Sequence, residues 1–329
     1  MHGNVVIEHG LLDLIISRIP ALTSAQKIKL CTCFERESDI TCLSCTDVLE
    51  ICAPFADLRQ KKLFSEEELA PWSMDKVRLE AEKDAIFMER CGIRCVSYKD
   101  SAYPPLLKEI FDPPAALFYK GTLPSAEKPL ISIVGTRKPS GAALAKTYEL
   151  ARGLSGAGFI VVSGLATGID AMAHRGAVEE SAATAAVFGC SVDNVYPMSN
   201  RHLARRILES GGVFLSEYPC GTPPRKWTFP ARNRIISGLC KFCLVAEAGE
   251  KSGALITADF ALEQNRDLGV LVEKDGTAFG KGCRSLAAAG AQKIECTADI
   301  VKGFGLLMAP VPVETKGDLV SKLKNELGL

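Results

Sequence analysis

Residues 128–164 read KPLISIVGTRKPSGAALAKTYELARGLSGAGFIVVSG. Two short runs, LISIV and FIVV, are apolar at every position except one serine, so each reads as a strand covered on both faces and not as an alternating, half-exposed one. The stretch between them, AALAKTYELARGLSGAG, spaces its apolar residues as a helix does and closes on glycine. A buried strand, a crossover helix and a second buried strand make one unit of a parallel sheet. The texture repeats downstream. ATGIDAMAHRGAVEE leads to TAAVFG, NRHLARRILESGG to VFLSEY, and KFCLVAEA is followed by ALITADFALEQN and DLGVLVE. The fold class is therefore α/β, a Rossmann-like, doubly wound and mostly parallel sheet spanning residues 126–303. A smaller helical domain, 1–90, precedes it, with an ordered connector at 91–125 whose paired prolines, 104–105 and 113–114, leave room for one or two short strands. Residues 304–329 form a C-terminal tail.

The chain has 329 residues, 47% hydrophobic, with 39 basic and 39 acidic side chains. That describes a globular protein with ample core and no global attraction for polyanions or membranes. No run reaches the roughly 18 apolar residues a membrane span needs, and the N-terminus lacks a secretory pattern, so the expected location is cytoplasmic. Thirteen cysteines are scattered through apolar, strand-like and helical contexts such as AAVFGC and KFCLV, where a reduced buried thiol acts as a small hydrophobe. The CxxC pairs Cys42–Cys45 and Cys240–Cys243 lack the histidines or the mutual spacing of a zinc site, and no metal is expected.

In doubly wound sheets, ligands bind beyond the carboxyl ends of the strands. Three loops at those ends, VGTRKPSG, SGLATGID and EAGEKSGALIT, bring glycines and small hydroxyl residues to helix starts. Free backbone N–H groups there suit an anion. The candidate phosphate-binding positions are Gly135, Thr136, Ser163, Gly164, Gly168, Ser252 and Gly253, with Arg137 beside them. None of the loops is a dinucleotide fingerprint or a Walker A loop. No catalytic constellation emerges: Ser163 lacks a nucleophile elbow. Asp170 and His174, four apart on one helix face, read as capping and packing residues without a third metal ligand.

Residues 225–238, RKWTFPARNRIISG, concentrate positive charge and aromatic surface in an otherwise neutral chain. Arg225, Lys226, Arg232 and Arg234 suit phosphates, whereas Trp227 and Phe229 offer faces on which unpaired bases stack at about 1–3 kcal/mol each. FPARNRIISGL reads as a helix start with Pro230 at its first position, and one of Arg232 and Arg234 is expected to be a buried, structural residue.

Together SIVGTRKPSG, VVSGLATGIDAMAH, VYP, LSEYPCGTPP, FPARNRIISGL and LVAEAGEKSGALITADFALEQNRD closely resemble the DprA/Smf family of DNA-processing proteins. The resemblance covers about 100–300, and the N-terminal helices are similar to that family's SAM-like or helix-hairpin-helix front end. It implies a single-stranded DNA-binding protein that protects incoming DNA in natural transformation, loads the RecA recombinase and acts as a dimer. It implies no cofactor and no enzymatic activity. The family's DNA-contacting arginine falls on Arg137, its lysine on Lys226 and its phenylalanine on Phe229. The segment VEKDGTAFGKGCRSLAAAGAQKI keeps the family's GKG and AGA but lacks its proline, serine and asparagine, so no contact carries over from it. Two other readings use the same loops: a nucleotide-binding sensor, and a phosphoribohydrolase-like enzyme. AGEKSGALITAD lacks the paired glycines and the glutamate that such an enzyme uses.

Overall fold

A computed structural model of the chain describes residues 10–53 and 72–304. Four short helices come first: α1 (Leu11–Arg18), α2 (Ser24–Cys33), α3 (Glu37–Thr41) and α4 (Cys45–Cys52). Their starts are chemically marked. Thr23 Oγ1 accepts the Gln26 amide at 3.2 Å while Gln26 Oε1 accepts the Thr23 amide at 2.9 Å, and Ser44 and Asp47 make the same reciprocal pair before α4. Helix α5 (Met74–Cys91) ends at Gly92, whose φ of 63° supplies the left-handed cap. The preceding SEEELAP, residues 65–71, reads in the sequence as an acidic helix start and lies outside the described residues. Leu14, Ile15, Ile16, Leu30, Ile40 and Val48 are fully buried where these helices pack together.

Among the described residues, all nine strands form one sheet. They are β1 (Ile93–Ser97), β2 (Ala116–Gly121), β3 (Leu130–Val134), β4 (Ile160–Ser163), β5 (Thr184–Val187), β6 (Val213–Ser216), β7 (Phe242–Val245), β8 (Asp267–Leu271) and β9 (Gln292–Ile294). Their order is β1-β2-β6-β5-β4-β3-β7-β8-β9. β3 to β9 are mutually parallel, and β2 runs antiparallel to both β1 and β6. The six strands expected from the apolar runs are all present. The connector's two strands join the same sheet at its edge, with α6 (Pro105–Lys108) between them. β9 has two exposed residues of three, which explains why no apolar run announces it.

Helices α7 (Gly141–Gly156), α8 (Ile169–Glu179), α9 (Arg201–Glu209), α10 (Thr228–Gly238), α11 (Gly253–Glu263), α12 (Gly280–Ala288) and α13 (Thr297–Gly303) complete the layers. One sheet face buries Ile131, Ile133, Val161 and Leu244 against α7 and α8; the other buries Val134, Val162, Val187 and Val245 with Ile235 and Ile236 of α10. From β3 the chain winds one way to β4, β5 and β6, then returns to β3's other side as β7. This reversal opens a crevice between the carboxyl ends of β3 and β7, the place where such sheets take ligands.

Candidate nucleic-acid interface

The crevice is a cavity of about 590 Å³ lined by Thr136, Arg137, Lys226, Phe229, Asn233, Ser252 and Gly253, among others. Backbone contacts hold its loops together. Thr136 N donates to Glu247 O at 2.8 Å, and the Glu247 carboxylate accepts from Ser140 N at 2.7 Å and Ser140 Oγ at 3.2 Å. The loop after β3 is thus clasped to the loop after β7. Gly168 has a φ of 82°, and a Cβ there would stand 2.4 Å from Thr136 O, so glycine lets the loop after β4 close on the loop after β3. Gly135 similarly makes room for Ile169, which would lie 2.5 Å from an added Cβ.

Arg137 and Lys226 are exposed at this mouth. The Arg137 guanidinium carbon sits 6.0 Å from the Phe229 ring centroid, within cation–π reach. Phe229 packs onto Gly189, where a Cβ would approach the ring to 2.9 Å. A second ring completes the platform: Tyr196 lies 5.3 Å from Phe229, tilted by 39°, and is 45% exposed. Reading the sequence for site residues missed Tyr196 and Gly189. The motif VYP marked the first, but 33 residues separate it from Phe229 and only the return of β6 brings them together.

Not every expected residue faces the cavity. Ser163 is fully buried and donates to Ile133 O at 2.6 Å, and Gly164 is buried with its carbonyl taken by Arg232 Nη1 at 3.0 Å, so neither offers a group to an anion. Ser252 caps α11 by accepting the Ala254 amide, while the Gly253 carbonyl accepts from Asn233. Arg225 and Trp227 are exposed on the approach to α10 but do not line the cavity, and Trp227 stands edge-on to Tyr218 at 6.3 Å. Helix α10 starts at Thr228, which places Pro230 third in the helix, still within the first turn where its missing N–H costs nothing.

Both arginines of the ARNR stretch are buried, where the sequence suggested one. Arg232, 4% exposed, reaches under the site to the carbonyls of Gly164 and Val187. Burial works against its charge and the nearby Asp170 carboxylate supports it. Asp170 in turn accepts the amides of Gly164 (3.2 Å) and Ala166 (3.4 Å), and burial raises its pKa. Arg234 is bidentate to Glu217 at 2.7 Å and lies 3.0 Å from Asp112. Burial disfavours its charge, but the two carboxylates outweigh that and hold it firmly protonated. These arginines brace the platform from below, and the cations at the mouth are Arg137 and Lys226 with Lys138 beside them.

His174 points elsewhere from Asp170. Its Nδ1 lies 2.8 Å from Thr184 Oγ1 at the start of β5, and burial lowers its pKa to about 3. Among the described residues no group of histidine, cysteine and carboxylate side chains is placed to hold a metal, and no helix is long and apolar enough to cross a membrane.

The family model described as DNA recombination-mediator protein A matches residues 94–305, which contain the whole sheet except the first residue of β1. The chain belongs to this family. Within it, the chain is 38% identical over 208 residues to DNA processing protein DprA of Streptococcus pneumoniae, covering 63% of this chain and 73% of that one. It is 42% identical over 212 residues to protein Smf of Synechocystis sp., where the match spans 63% of this chain and about half, 53%, of the relative. The X-ray structure of the S. pneumoniae protein superposes with a TM-score of 0.70 at 30% identity, covering 89% of this chain and 98% of that one. The structure that describes the single-stranded DNA binding mode of DNA processing protein A from Helicobacter pylori gives a TM-score of 0.57 at 29% identity, over 64% of this chain and 95% of that one. The DprA/Smf resemblance and the doubly wound fold expected from the sequence are thereby established.

Proposed function

We infer that this protein binds single-stranded DNA in the crevice between β3 and β7 and acts as a mediator that protects the strand and loads RecA recombinase onto it. The observation that carries this is the juxtaposition at one mouth of Arg137 and Lys226, exposed, with the adjoining rings of Phe229 and Tyr196. Cations beside aromatic faces suit a strand whose bases are unpaired. A duplex hides its base faces and offers phosphates alone, so it gains nothing from the rings. The neutral net charge supports selectivity, because attraction is confined to the crevice. Family membership and the binding mode described for the H. pylori relative support the same ligand. In this reading the protein is cytoplasmic and works as a dimer, which sets two crevices side by side and raises affinity for long strands through effective concentration. On the same reading the helical front end, connector and sheet domain are the units of the chain and the crevice carries no catalysis; the tail expected at 304–329 lies, past Phe304, outside the described residues.

Fluorescence anisotropy with long single-stranded, short single-stranded and duplex DNA tests this, comparing the natural chain with Arg137→Ala/Lys226→Ala. The expected result is a preference for long single strands that the double variant loses, with the log–log salt slope falling by about 0.7 per removed cation. Weak binding to every DNA, with mononucleotides bound instead, would overturn it in favour of a nucleotide sensor.

A further inference from the structure

The carboxyl edge of the sheet continues past the crevice. Moving from β3 across β4 to β5 covers two strand spacings, about 10 Å, and the loop after β5 carries Tyr196 on to Met198 and the start of α9. Asn200 Nδ2 donates to Leu165 O at 2.8 Å, which pins this loop to the one after β4. Beyond Tyr196 the surface turns outward and cationic. Met198 is 64% exposed, and Arg201, His202 and Arg205 are exposed while Leu203, Ala204 and Ile207 bury the opposite side of α9. Arg201 and Arg205 are four apart, hence on one face and about 6 Å apart along the axis.

This charge does not serve the helix. Arg201 occupies the first turn of α9, which holds no acidic residue, and a cation there opposes the helix dipole. The Arg205 pair with Glu209, 2.7 Å long but 79% and 56% exposed, contributes little and exchanges readily for a phosphate. Resting on the single-strand reading above, we propose that the Arg201–Arg205 face of α9 is a second segment of the binding path. A strand stacked on Phe229 and Tyr196 leaves the crevice over Met198 and lays its following phosphates along α9. Continuity with the aromatic platform and complementary charge both favour this occupant over an unrelated acidic partner.

The test is binding of labelled oligothymidylates of about 6 and about 20 nucleotides, lengths that bracket one short site and an extended one. The protein is compared with Arg201→Gln/Arg205→Gln and with the charge-reversed Arg201→Glu/Arg205→Glu, each checked for native circular dichroism. The 6-mer should bind all three within about twofold. The 20-mer should bind the neutral pair about tenfold more weakly, and the reversed pair more weakly still, with a salt slope lower by about 1.4 for two lost phosphate contacts. Unchanged 20-mer affinity and slope would overturn the path, as would equal losses for both lengths, which would mark a general disturbance of the crevice. Failure of the natural chain to bind either oligomer would instead sink the single-strand reading, and this extension with it.

Discussion

Phe229 is held from three sides, by Gly189 beneath, Tyr196 beside it and the Arg137 guanidinium across its face. A ring fixed in that way loses little freedom when a base stacks on it. Phe229→Ala should weaken single-strand affinity by about 1–3 kcal/mol, while the salt slope stays as it was because no phosphate contact is removed. Titration at several salt concentrations checks both halves of this expectation. At this scale the sequence is a good guide to what is exposed and a poor one to what is paired. Arg137, Lys226 and Phe229 could be picked out because a glycine loop and a proline-bounded turn hold side chains at a strand-end edge. Arg232 and Arg234 carry the same charge two residues apart. Their burial depends on Gly164, Val187, Asp112 and Glu217, residues that lie far away in the chain.

Helix α10 is where those long-range partners meet. Arg234 is buried, with side-chain exposure of 8% against 15% for Glu217 and 33% for Asp112. Arg234→Ala would leave the largely buried Glu217 and the partly buried Asp112 without a counter-ion. The expected loss is about 3–5 kcal/mol of stability, read as a lower denaturant midpoint. α8 contributes a different sensitivity. His174 is held neutral, its pKa brought down to about 3 from an ordinary 6.5. Between those values the unfolded chain binds a proton that the native chain refuses, so stability falls as pH drops from about 6.5 towards 3. Denaturation series across that window should show the decline, and His174→Gln should flatten it; an unchanged slope in the variant would place the effect on other groups. The central strands and their helices were legible because buried parallel strands are apolar throughout. β9 was not, because an edge strand with Gln292 and Lys293 exposed presents no such run.

Across the whole molecule, the helical unit and the sheet unit are joined at a polar seam. Arg18 of α1 binds Asp84 of α5 through two bonds of 2.6 Å and donates to Cys220 O at 2.7 Å, in the loop that leads towards Lys226. Lys27 donates to Ser17 O at 2.6 Å close by, and burial brings its pKa down to about 8. Arg18→Ala should cost about 1–3 kcal/mol, since Asp84 and the Cys220 carbonyl lose charge-assisted partners; thermal and denaturant unfolding would report it. The sequence divided the chain into helical and sheet portions by texture, but it gave no sign that the connector's strands finish the sheet. β2 pairs with β6, whose first residue follows Gly121 by about 90 positions. On a ribosome adding about 5–20 residues per second, that interval lasts roughly 5 to 20 s. Through it, β2 has β1 on one side and an open row of amides and carbonyls on the other, a template for pairing with the wrong chain. The emerging polypeptide must carry this unfinished edge until Val213–Ser216 arrives, so the front of the protein completes its sheet only after most of the chain has been made.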